Sequence, residues 1–371
     1  MLSSPFKKLL LLILLMATGA ALLLEFLNAW FKPKSEVASA KFAKSEFQHH
    51  YTPPCPKGSG TEETSTNTET NERIQLKMPR EKVEAWLAKH NRNASSLLAA
   101  SRALGDTNYL FEAATNFPND PQVQLAVLSR DAFPEERRKW LEAFKASSPS
   151  NSLANYLSAA DYFKNRKPDD AVQELLAASG KTEFQNYAME TLLNGEELLT
   201  DGGKSARESA IFAMSGMAEE NLPQMASCKV VAQGIRDLLK QKVAAGDTES
   251  AVNLAQLGFD LAGKINSGDS GKFLINQLVG MAVEQATFSQ LDQNTAYDFL
   301  GGRTPVQAVE ELKRQKTEFS KLIQDFGPAQ MQMMMSDSET ASYMQRLEIY
   351  GELEAMKWLI QQHPPAVPSQ P

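Results

Sequence analysis

The chain has 371 residues, of which 42% are hydrophobic and 22% charged, a balance that permits a folded core and confines low-complexity sequence to local stretches. Against 38 Lys+Arg stand 45 Asp+Glu, and the resulting net charge of -7 argues against a nucleic-acid partner held through phosphate neutralisation. Two cysteines exclude a disulfide framework.

Residues 1–8 form a basic n-region ending in Lys7 and Lys8, and an uncharged run follows from Leu9 to Leu24. That order marks an export signal, either cleaved or kept as an anchor. Gly19, Ala20 and Ala21 are small enough for a signal peptidase, but Leu22, Leu23 and Leu24 follow, so cleavage there leaves an apolar N-terminus. Continuing through Phe26, Leu27, Ala29, Trp30 and Phe31 gives a span at residues 9–31, enough for a hydrocarbon layer of roughly 30 Å. The reading is a signal-anchor, which makes this a single-pass protein of the inner (cytoplasmic) membrane with its bulk on the non-cytoplasmic side. Lys32, Lys34, Lys41 and Lys44 beyond the span oppose that orientation, yet long domains cross largely regardless of flanking charge.

From residue 32 to 77 the composition turns to Lys, Ser, Thr, Glu, Pro and Gly, with TEETSTNTET at 61–70, and predicts a flexible polar linker. His49, His50 and Cys55 supply three ligand types beside Pro53, Pro54 and Pro56, one short of a fixed four-ligand set, so no metal is assigned.

Beyond residue 78 apolar residues recur at three and four, predicting an all-α fold with helices of ten to eighteen residues. Val83, Trp86 and Leu87 begin the first stripe, Leu97, Leu98 and Leu104 the second, and Tyr109, Leu110, Ala113, Ala114 and Phe117 the third, which Pro118 ends. Helix starts are marked by Asp131 before Pro134, by Pro168-Asp169-Asp170, and by Thr304, Pro305 and Gln307, which fit a capping box. Gly180, Gly246, Gly263 and Gly268 stand where left-handed caps are wanted. After Gly302 come a helix through Val306, Leu312, Phe319 and Phe326 and a second from about Glu339 to Gln362, an amphipathic pair at 304–362. Met331, Met333, Met334 and Met335 between them read as core filling. A Pro-rich disordered tail at 363–371 closes the chain.

Pro118 and Pro149, Leu110 and Leu141, and Leu125 and Tyr156 all keep one offset of 31 residues, so a helix pair repeats. Residues 155–178, with Ala159, Tyr162, Ala171, Leu175 and Ala178 in register, resemble a degenerate tetratricopeptide repeat; Asn155 and Ser158 depart from the pattern. The resemblance is best over residues 90–180 and looser over 230–265, where Ala251 to Ala255 look like another second helix. It implies a helical-repeat domain at 78–303, an α-solenoid, with an irregular helical bundle as the alternative. It also implies that Tyr156 and Phe163 face a groove.

The motifs of catalysis are missing. His49, His50, His90 and His363 lie in the linker, the first helix and the tail, leaving no folded home for a nucleophile and its base. Gly203-Lys204-Ser205 ends like a phosphate loop, but Leu198 replaces the first glycine and a turn between helices is the better account. Cys228, in an apolar stretch, reads as an inert thiol. No catalytic residue, metal or cofactor is assigned. The function implied is a membrane-anchored, non-catalytic scaffold for a protein or peptide partner in the cell envelope. The alternatives are an enzyme acting on envelope polymers through carboxylates, or a small-molecule receptor with a pocket between helices.

Overall fold

The computed structural model describes residues 78–364, which form fourteen α-helices and no strand. The expected span at 9–31, the linker at 32–77 and the tail from 365 onward lie outside them. Among the described residues no helix is long and apolar enough to cross a membrane.

Seven short helices come first: α1 (Arg80–Lys89), α2 (Ala94–Leu104), α3 (Thr107–Asn116), α4 (Pro121–Ser129), α5 (Arg137–Ser147), α6 (Leu153–Lys164) and α7 (Pro168–Ser179). Several start where a side chain accepts from otherwise unpaired backbone amides: Asn93 from Ser96, Asp106 from Asn108, and Asp120 from Gln122 and Val123 ahead of Pro121. The residues that keep the 31-residue offset, Leu110 with Leu141 and Leu125 with Tyr156, are all buried, on α3, α5, α4 and α6 respectively. Ala159, Ala171 and Ala178 are fully buried where α6 packs on α7.

Helix α8 (Ala188–Asp201) ends in the Gly202-Gly203 turn, where Gly203 takes φ +80° and Ser205 opens the next helix through a capping box with Glu208. That next helix, α9 (Ala206–Ala244), runs 39 residues, against the expected ten to eighteen. Pro223 inside it cannot donate to the Glu219 carbonyl, a loss that would favour a break. Burial on both sides of the proline carries the helix through. Ala210, Ala213 and Met217 pack with α8 and the C-terminal helices, whereas Met225, Cys228, Val231 and Ile235 pack with α4 to α7 and with α10 (Thr248–Ile265).

Helix α11 (Leu274–Phe288) lies against both α9 and α10. Of the four expected glycine caps, Gly246 and Gly268 take positive φ, Gly180 is right-handed, and Gly263 lies inside α10. Helix α12 (Pro305–Met333) begins at the Thr304/Gln307 capping box. The single helix expected from Glu339 to Gln362 is two, α13 (Asp337–Tyr350) and α14 (Glu352–Gln362). Gly351 between them holds φ +88°, with the Lys272 carbonyl oxygen only 3.1 Å from where a Cβ would sit. The C-terminal pair is thus a set of three, packed on α8, the start of α9 and the start of α11. Met333 and Met334 fill this core, while Met331 and Met335 are exposed.

Candidate functional site

Around Pro223 the buried face of α9 turns polar. Glu220, Asn221, Gln224 and Ser227 are all buried, and they form a belt between the apolar halves of the helix. Polar groups so placed need partners, and the belt can be traced partner by partner. The Glu220 carboxylate accepts from Arg102 Nη1 at 3.2 Å and from Arg130 Nη2 at 2.9 Å. Burial works against its ionisation, but the two guanidinium groups outweigh burial and hold the carboxyl below the usual range. Asn221 Nδ2 donates to Asn276 Oδ1 at 2.8 Å, and Asn221 Oδ1 accepts from Asn186 Nδ2 at 3.0 Å. Ser227 Oγ donates to the Pro223 carbonyl at 3.1 Å.

Gln224 breaks this pattern. It is 1% exposed, and among the buried side chains of the described residues it alone leaves both polar atoms without a hydrogen-bond partner. It lines a cleft of about 560 Å3 between α4, α6 and α9, a volume in the range of small-ligand sites. Leu128, Leu157, Ala226 and Val230 give the cleft its apolar surface. Ser129, at the end of α4, adds a buried hydroxyl with no partner.

Charged side chains at the cleft balance. Arg137 Nη1 donates to the Leu128 carbonyl at 3.0 Å, and the guanidinium lies 3.4 Å from Asp131 and 3.5 Å from Asp161. Lys164 completes two cations against two carboxylates, so no net field selects a charged ligand. Arg138 braces the α6 wall from outside: Nη2 is 2.6 Å from Asp161, Nη1 donates to Ser158 Oγ at 2.6 Å, and the guanidinium carbon lies 4.1 Å from the Tyr162 ring centroid.

Neither groove residue expected from the repeat register stands on an open face. Tyr156 is 1% exposed, with its ring 6.2 Å from that of Phe184 in the same core as Cys228. Phe163 is half-buried and packed on Gly234 of α9. The reason for both is α9, which lies against α6 and fills the space a groove would need. Cys228 is fully buried, and burial pushes its thiol up to about 12.

His90 ends α1 half-buried, with Nε2 3.4 Å from Glu197 Oε1; Asp201 is the third potential ligand of this group. Lys89 Nζ already neutralises Asp201 at 2.6 Å and Lys82 Nζ donates to the neighbouring Gly202 carbonyl, so a metal ion there would displace one ammonium and face another. The cluster is not assigned as a metal centre.

Gln224 and Ser129 escaped the sequence reading because nothing local distinguishes a buried glutamine from a solvated one. The available signal was Pro223 inside a helical stretch, flanked by Glu219, Glu220, Asn221 and Gln224. Comparison with protein-family models, with curated proteins and with solved structures found no match for this chain.

Proposed function

We propose that this protein is a non-catalytic, helical-repeat scaffold, anchored in the inner membrane by residues 9–31 with its helical domain on the non-cytoplasmic side. Its α4–α6–α9 cleft binds an extended, uncharged stretch of a partner protein. The repeat reading is supported by the 31-residue offset and the small buried residues Ala159, Ala171 and Ala178 at one helix crossing. The binding reading is carried by Gln224. A carboxamide offers a donor and an acceptor side by side, the complement of a peptide group, and leaving both unused in a folded interior costs about 1–3 kcal/mol. A ligand backbone in the cleft removes that cost once the Gln224 side chain turns outward to meet it, and the balanced charges at the cleft match an uncharged segment.

Selection of a random decapeptide library against the full chain, followed by Gln224→Met, tests this reading. Methionine keeps the volume and removes the unpaired amide, so the variant should melt no lower than the wild type while selected peptides bind at least tenfold more weakly. Failure to enrich any peptide, or equal binding by Gln224→Met, refutes the peptide reading.

A further inference from the structure

A second cavity, of about 290 Å3, lies at the far side of α10, between α10, α11 and the first turns of α12. Its walls are apolar and aromatic: Phe259 from α10, Met281 and Phe288 from α11, Leu300 from the connecting turn, and Ala308 and Leu312 from α12. Phe259 is central to these walls, its ring 6.2 Å from that of Phe288 and 5.9 Å from that of Phe299. Glu284 stands among them, one turn along α11 from Gly280, whose bare backbone lets the Asn266 side chain lie against it at the cavity's edge.

Glu284 has no hydrogen-bond donor and no ion pair among the described residues. Arg303 is close enough to be felt electrostatically, but its Nε is spent on the Leu300 carbonyl at 2.9 Å. Glu311 is engaged by Arg314 at 2.6 Å. The charged groups lining the cavity are therefore Glu284, Glu311 and Arg303, and of the two carboxylates only Glu284 is unengaged. Aromatic faces beside an unengaged carboxylate suit a cation with an apolar body, because ring and carboxylate both attract positive charge while the walls bury the remainder.

We propose that this cavity binds a small organic ammonium, a primary amine on a phenyl- or alkyl-sized body, with Glu284 as its counter-ion. The site is separate from the α4–α6–α9 cleft and does not depend on how that cleft is used. Burial pushes the Glu284 carboxyl up to about 7, with Arg303 pulling weakly the other way. Binding an ammonium requires the ionised form, so affinity should fall as the pH drops below 7. Glu311 is held below the usual range by Arg314 and Gln315, and α10 with its C-terminal cap contributes only Phe259 and Asn266. Glu284 is thus the lining group that changes charge.

Titration calorimetry of the full chain with 2-phenylethylamine, 2-phenylethanol and phenylacetate, at pH 8 and pH 5.5, separates the possibilities. Saturable amine binding at pH 8 is expected, at least tenfold tighter than the alcohol, with no binding of phenylacetate and a loss of about tenfold or more at pH 5.5. Glu284→Gln should melt no lower than the wild type and bind amine and alcohol alike. The proposal is overturned by no saturable amine binding up to the millimolar range, by amine and alcohol bound equally by the wild type, or by an amine preference that survives in Glu284→Gln. Tighter binding of phenylacetate than of the amine also overturns it and makes Arg303 the anchoring charge.

Discussion

Glu220 and Arg102 meet at 3.2 Å across 118 residues of sequence, and the arginine side chain is only 4% exposed. The pair, with Arg130 on the same carboxylate oxygen, ties α9 to α2 and to the turn after α4. Neither guanidinium makes an ion pair with another carboxylate among the described residues, and Glu219 acts on Arg102 only at longer range, so the Glu220 carboxylate is the element that cannot be removed alone.

Glu220→Gln should therefore destabilise the fold by about 3–5 kcal/mol, the range for a buried charge deprived of its counter-ion. The pH dependence follows from the direction of the Glu220 shift. A carboxyl depressed in the folded state contributes stability in full above its unfolded value near 4.5, and loses it as the pH falls through the lower folded value. Urea midpoints between pH 7 and pH 3 should fall less steeply for Glu220→Gln than for the wild type, and parallel curves would show that the carboxylate is not ionised in the fold.

Two glycines within helices should respond to alanine with opposite signs. A Cβ on Gly234 would stand 2.6 Å from ring carbons of Phe163, so Gly234→Ala should cost about 1–3 kcal/mol by overpacking. A Cβ on Gly263 would meet nothing within 4 Å, so Gly263→Ala should gain about 0.5–1 kcal/mol from helix propensity. Denaturant midpoints of the two variants read both signs.

Pro223→Ala supplies α9 with an amide that can reach the Glu219 carbonyl. Melting temperature should rise, by an amount equivalent to about 1–3 kcal/mol. A lower melting temperature would mean that the proline ring's packing in the cleft outweighs the missing hydrogen bond.

Cys228 should resist an aromatic disulfide reagent at pH 8 in the folded protein and react at once in denaturant, because its thiol is buried and held up to about 12. Reaction with the native state at the denatured rate would place the thiol in a part of α9 that opens readily.

Local features of the fold were legible and relational ones were not. The Thr304/Gln307 capping box, the Pro168-Asp169-Asp170 start and the turn at Gly203 are written within three or four residues, and the structure forms each of them. The length of α9 was hidden because Pro223 reads as a stop unless the burial on both its sides is known. The cover over Tyr156 and Phe163 was illegible for a related reason: the repeat pattern describes α6 but says nothing of α9 lying against it. Gln224, Ser129 and Glu284 carry the two cavities, yet each is ordinary in its own stretch of sequence. Their character comes from neighbours about 20 to 95 residues distant, such as Ser129 beside Gln224 and Arg303 beside Glu284.

The 39 residues of α9 also bear on how the chain is made. In a row of repeats each unit covers its predecessor as it emerges, so a growing chain is never long without cover. Here α4 and α6 pack on α9, as do α8, α10, α11 and α13. The buried faces of Leu125, Leu157 and Ala160 therefore remain open after their own helices have formed. About eighty residues separate the end of α6 from the end of α9, an interval of roughly 4–16 s at ordinary rates of synthesis. Throughout that interval the N-terminal half carries an uncovered apolar surface, and the nascent chain is most exposed to aggregation, and most in need of a chaperone, between residues 164 and 244.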